Sequence, residues 1–227
     1  MSFELKKNKK KWILVGTGSG WELCPKESTS TIICLNDLLY QEKYGIKYDY
    51  LCIMDVLDEK PQVLAGSQNL AEAIERINAS GKPFIAPFKY AEIPNSVPFP
   101  LERYYEKFGA PYFLNTIAYM VAFALLEGAE EIEIFGVNQA SSSEFFFEKA
   151  SVEYMLGIAV GMGVKVSING ERSELLTTKT RFGGSMLYGY NSTYDNIQRD
   201  KTKYGEAVIR KLLLPPKPVS RSVRKVK

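Results

Sequence analysis

Histidine is absent from all 227 residues. That gap excludes a Ser-His-Asp triad, a histidine metal cluster and an imidazole general base. Cysteine is scarce. Cys24, Cys34 and Cys52 form an odd, widely spaced set, which argues against a disulfide framework and against a zinc knuckle. Cys34 and Cys52 sit inside apolar runs and read as small buried hydrophobes. The most apolar run, 117–126, is far short of the roughly 20 residues that span a bilayer. The start has basic residues but no apolar segment of the signal-peptide kind. These absences predict a soluble, reducing, cytoplasmic protein with no membrane partner.

The rest of the composition is ordinary, at 45% hydrophobic and 24% charged residues, and excludes global disorder, collagen and a pure coiled coil. The length suits one domain, or one plus a small appendage. Charge is uneven. Residues 1–11 carry five Lys and one Glu, and 217–227 carry five Lys or Arg and no acid. The body between them has 19 basic and 25 acidic residues. Two basic tails on an acidic body are either a means of holding nucleic acid or simply solvated, frayed ends.

Along the chain, short apolar runs alternate with helical rhythms. Strands are predicted at Trp12–Gly16, Thr31–Leu35, Tyr48–Met54, Pro83–Pro87, Glu131–Val137 and Val164–Ile168. Helical patterns cover 70–77, 115–126 (closed by Gly128) and 152–160, with a short helix at 38–43. This alternation predicts an α/β fold: a three-layer sandwich with a mostly parallel central sheet. Proline-rich 88–111 reads as a long ordered loop, and 177–193 as a second. The expected organisation is a basic tail at 1–11, a nucleotide-binding domain at 12–176, a lid-like loop with a C-terminal helix at 177–214, and a basic tail at 215–227. The aromatic run Phe145, Phe146, Phe147 is either a core anchor or an interface of a homo-oligomer.

In such a sheet, ligands gather beyond the carboxyl ends of the strands. The first strand is followed by Gly16, Thr17, Gly18, Ser19 and Gly20. Three glycines in five residues let backbone N–H groups approach a phosphate. The turn is neither a Walker loop nor a dinucleotide fingerprint, and Pro25 argues against a long helix behind it. A flexible turn is the other reading. Asn36 and Asp37 end the second strand and either cap a helix or face a ligand. Asp55 ends the third, where it caps a turn or serves ribose, metal or proton transfer. Asn115 and Thr116 open a helix, as a plain N-cap or as an anion site. Asn138 and Gln139 follow the strand at 131–137. Glu153 is either a surface glutamate or points toward Asn138. Glu148, Lys149, Arg103 and Arg181 are further charged candidates.

The pieces WILVGTGSGWEL, IICLND, NTIAYMVAFALLEGAEEIEIFGVN and SVEYMLGIAVGMGVKV resemble, in layout, the bacterial sialyltransferases of glycosyltransferase family 42. They also resemble the Rossmann-like proteins that include archaeal 6-hydroxymethylpterin diphosphokinases, a type found in bacteriophage genomes as well. The resemblance covers about residues 12–168. It implies a Rossmann-like fold and nucleotide binding above the sheet. It places Gly16–Gly20 at the phosphates, Asn36 near ribose or base, Asn115 and Thr116 as a polar pair, and Asn138 at the next strand end. The implied activity is transfer from a sugar nucleotide. The implied alternatives are a diphosphokinase using a divalent metal and a protein that binds nucleotide without reacting. The sialyltransferases use a histidine base, which this chain lacks. Asp55, Asp37 or Glu153 would have to replace it. Tyr188 and Tyr190 are either lid donors or surface aromatics.

Overall fold

A computed structural model describes residues 8–36, 43–64, 66–139, 146–170 and 172–176. All of them belong to the first of two units, which ends at Leu176. Seven strands form one sheet: β1 (Asn8–Val15), β2 (Ser30–Leu35), β3 (Tyr50–Cys52), β4 (Phe84–Ala86), β5 (Ser96–Pro98), β6 (Glu131–Phe135) and β7 (Lys165–Asn169). Their order is β5-β4-β3-β2-β1-β6-β7, and every pairing is parallel. The helices are α1 (Leu70–Ser80), α2 (Leu101–Phe108), α3 (Thr116–Leu126) and α4 (Phe146–Gly161).

The predicted α/β sandwich is what forms, and the reason lies in the strand residues. Trp12–Val15 is buried throughout, because a parallel sheet is covered on both faces. Trp12 and Leu14 join the core with α3 and α4. Ile13 and Val15 point the other way, to a second core with Ala73 and Ile77 of α1. The two-residue period of a strand thus divides one apolar run between two layers. All three cysteines are buried and none is in a disulfide. Burial, aided by Glu133, pushes the Cys24 thiol up to about 12, and burial raises the Cys52 thiol too.

Helix α3 lies in the first core and has no charged residue; only Tyr119 escapes full burial. Such a helix needs partners for its last carbonyls. Arg103 and Lys107 of α2 supply them, reaching Leu126 O at 3.2 Å and Leu125 O at 2.9 Å. Arg103 also pairs with Glu127 at 3.0 Å. This places Arg103 at the carboxyl end of α3, where it supports the helix.

Several boundaries differ from the sequence reading. The 88–111 stretch is not a loop throughout. It contains β5 and α2, and the prolines mask a helical rhythm at Leu101, Tyr104, Tyr105 and Phe108 (Pro100 stands at the N-cap, ahead of the helix, so its missing N–H removes no helical hydrogen bond). Strand β1 starts at Asn8, so Lys9, Lys10 and Lys11 are sheet residues rather than tail. Lys11 Nζ meets Glu131 at 2.8 Å, and Lys165 meets the same carboxylate at 3.0 Å. The connection after β1 holds only a 3-10 turn at Trp21–Leu23, as Pro25 suggests. Asp37, the 38–42 part of the short helix, Phe145, Arg181, Tyr188, Tyr190 and the C-terminal helix and tail lie outside the described residues. Among the described residues, no helix is long and apolar enough to cross a membrane.

The topology also locates a crevice. From β1 the chain moves outward through β2, β3, β4 and β5, then returns to add β6 and β7 on the opposite side of β1. Strand order therefore reverses between β1 and β6, the point where sheets of this type hold ligands.

Candidate functional site

A cleft of about 920 Å³ opens at the carboxyl ends of β1, β2, β3 and β6. Its wall includes Gly16, Thr17, Gly18, Asn36, Asp55, Asn115, Thr116, Asn138 and Gln139. The fold thus brings most of the sequence-derived candidates to one place. Ser19, Gly20 and Glu153 are not among the wall residues.

The glycine turn does not present the row of bare amides that its composition suggests. Gly16 N–H donates to Phe135 O and Gly18 N–H to Gly136 O, both at 2.8 Å. Gly20 N–H donates to Glu22 Oε2 at 2.8 Å. Asn138, with its amide turned so that donors meet acceptors, accepts from Ser19 N–H at 3.2 Å and from Ser19 Oγ at 2.9 Å. It donates to Ser19 O at 3.0 Å. Four of the five amides in the turn are therefore engaged within the protein.

The glycines serve close packing instead. A Cβ on Gly16 would stand 2.5 Å from Gly136 O and 2.7 Å from Val137 Cγ2. Gly136, at φ 66°, faces the turn from the other side, and a Cβ there would meet Gly16 O at 2.7 Å. Two backbones interlock at the switch point, with no room for a side chain between them.

Other wall residues keep polar atoms unpaired. Asn115 caps α3, its Oδ1 accepting Ala118 N–H at 3.0 Å. Its Nδ2 is buried with no hydrogen-bond partner among the described residues. The same holds for Asn36 Oδ1 and Gln139 Oε1. Gln139 is only 8% exposed. Both Asn36 and Gln139 adopt left-handed backbone, at φ 55° and 47°, an arrangement that costs energy in a residue with a side chain. Native proteins pair nearly all buried polar groups, so three exceptions on one cleft call for an explanation. Thr116 is used internally, its Oγ1 accepting Met54 N–H at 3.4 Å.

Three wall residues are charged: Asp55, Lys60 and Glu148. Lys60 pairs with Asp55 at 3.2 Å. Glu153 instead accepts Leu176 N–H at 2.8 Å and meets Lys149 at 3.7 Å. Sequence reasoning missed Lys60 altogether, since it lies in a turn with no motif around it. It also missed the aromatic part of the wall. Phe113 stacks on Tyr119 with ring centroids 4.0 Å apart. Burial, then the Tyr105 hydroxyl and the Cys52 thiol, raises the Tyr119 phenol above its usual value, so it remains a neutral donor at physiological pH. Among the described residues no three Asp, Glu or Cys groups cluster as a metal site. Asp55, already paired with Lys60, and Glu148 do not make a divalent-cation donor set.

No family model and no curated protein matches the chain. Several solved structures do, among them sialyltransferases from Campylobacter jejuni. The sialyltransferase CstII in complex with cytidine-5'-monophosphate is 14% identical, with TM-score 0.46 over 73% of this chain and 82% of that one. An α-2,3-sialyltransferase in apo form is 14% identical, with TM-score 0.47 over 77% and 81%. The monofunctional α-2,3-sialyltransferase Cst-I is 13% identical, with TM-score 0.47 over 89% and 99%. A likeness of this size carries no argument about what the chain does.

Proposed function

We propose that the cleft binds a nucleotide and that the protein is a nucleotide-dependent transferase, with a sugar nucleotide as donor. The observation that carries this reading is the set of unpaired amide atoms on Asn36, Asn115 and Gln139, gathered at the point where strand order reverses. Ala118 N–H is taken by the Asn115 cap, and the start of α3 offers a phosphate the other N–H groups of its first turn and the positive end of the helix dipole. Asn115 Nδ2 adds a donor, and Lys60 adds a charge. Asn36 Oδ1 and Gln139 Oε1 are acceptors suited to ribose hydroxyls or base amino groups. Phe113 and Tyr119 provide an apolar surface for a ring.

In this reading the phosphate sits at α3, and the glycine turn builds the floor. The test is thermal unfolding of the full chain with a panel of nucleotides, together with nucleotide release from UDP-, GDP- and CMP-linked sugars. A ligand at 100 times its Kd stabilises the fold by about 2.7 kcal/mol. Release of nucleotide supports the transferase. Stabilisation without release selects a second reading, a protein that binds nucleotide without reacting. The ion pair that occupies Asp55 favours that second reading. No stabilisation by any nucleotide overturns both.

A further inference from the structure

The transferase reading needs a base, and the chain has no histidine. Asp55 is held by Lys60. The other carboxylate of the wall, Glu148, has no hydrogen-bond or ion-pair partner for its side chain among the described residues, and it is partly buried. Its position is fixed through the backbone. Ser151, fully buried, donates its hydroxyl to Glu148 O at 2.8 Å and accepts Leu114 N–H at 3.3 Å. That one side chain ties the first turn of α4 to the residue preceding the α3 cap. Glu148 is therefore held in register with the helix end assigned to phosphate. A glutamate in a first helical turn also stabilises the helix dipole, and the experiment must separate the two roles.

We propose that Glu148 is the catalytic base of the transfer, an inference that rests on the transferase reading. The acceptor oxygen forms a bond to the anomeric carbon of the donor sugar while its O–H proton passes to the Glu148 carboxylate. The anomeric C–O bond to the nucleotide phosphate breaks, and its electron pair leaves on the phosphate oxygen at the start of α3. Glu148 then returns the proton to solvent. A partly buried carboxylate of the cleft wall that no cation engages among the described residues has its oxygens available to accept that proton.

The full chain is assayed with UDP-, GDP- and CMP-linked sugars, using water or azide as acceptor, and released nucleotide is measured. Glu148→Gln is expected to lower kcat with water about 100-fold or more, the usual range for a positioned base. The donor KM and the thermal stabilisation by free nucleotide stay unchanged, which shows that the variant is folded. Azide arrives without a proton to lose and restores release to Glu148→Gln. Glu148→Asp retains an intermediate rate, and Glu75→Gln, on the exposed face of α1, matches the wild type. Unchanged kcat in Glu148→Gln, or a loss that azide does not rescue, overturns the assignment and leaves the transferase reading standing. A wild-type protein that is stabilised by nucleotide and releases none from any donor overturns both.

Discussion

The Gly16–Gly20 turn and the start of α3 border the same cleft and treat their polar groups in opposite ways. The turn directs its amides into the end of β6 and the loop after it: Gly16 to Phe135 O, Gly18 to Gly136 O, Ser19 to Asn138. Asn115, at the start of α3, uses one amide atom to cap the helix and leaves the other buried without a partner. The first region is built for close packing and the second holds capacity for a ligand. A glycine-rich turn is thus evidence of tight backbone approach before it is evidence of phosphate contact. What the backbone approaches must be read from the fold.

Six substitutions break or sharpen this contrast, and the largest effect is expected in the interlock. Gly16→Ala sets a methyl group 2.5 Å from Gly136 O. It should destabilise the fold by roughly 2–4 kcal/mol in urea titration, as overpacking against an immobile backbone does. Gly136→Ala adds left-handed strain at φ 66° to its own clash and should cost at least as much. If Gly16→Ala instead kept full stability and lost only nucleotide affinity, the turn would be a ligand loop after all.

Asn138→Ala removes the bonds that hold Ser19 and should cost about 1–2 kcal/mol by the same titration. Gln139→Met should act in the opposite direction. It replaces a buried unpaired oxygen with an apolar group and should raise stability without ligand by about 1 kcal/mol. The gain from nucleotide should disappear in the same variant. Asn115→Asp keeps a good cap and should hold stability within about 0.5 kcal/mol. It also turns the unpaired donor into an acceptor, so thermal stabilisation by nucleotide should be lost. Retained stabilisation would remove Asn115 from the proposed phosphate site.

The smallest effect belongs to the opposite end of the sheet. Glu131 is held below the usual carboxylate range, first by its hydrogen bond to Lys11 and then by that to Lys165. Its contribution to stability is present above the unfolded-state value and is lost as pH falls through the lower folded value. Glu131→Gln should flatten that part of the acid unfolding curve while leaving nucleotide binding unchanged. Equal acid profiles for the two proteins would show that the lysine cluster does not hold the β1, β6 and β7 ends together.

Much of the architecture was legible in the chain because it rests on local periodicity. The buried runs at 12–15 and 31–34, the Asn115 cap, the left-handed Gly128 and the Pro25 break all act over a few residues. The α2 helix was obscured because Pro94, Pro98 and Pro100 outweigh a helical rhythm only eight residues long. At the site, Asn36, Asn115 and Gln139 could be listed from their positions at strand and helix ends. Asn138 could be listed on the same grounds, yet it holds Ser19, and Glu153 holds Leu176 N–H. Nothing in the spacing separates these two groups.

The sequence by itself determined that any base here is not imidazole, that the sheet is buried on both faces, and that polar residues end its strands. Side-chain chemistry and the two-residue and 3.6-residue periods suffice for that. Only the tertiary structure decided which of those polar residues remain unpaired, that Lys60 and Glu148 join the cleft wall, and that the glycines pack against Gly136. These are outcomes of contacts between segments more than a hundred residues apart, such as Gly18 with Gly136 and Ser19 with Asn138. A hydrogen bond is satisfied or left open by whatever the fold places opposite it, and that partner is not written near it in the chain.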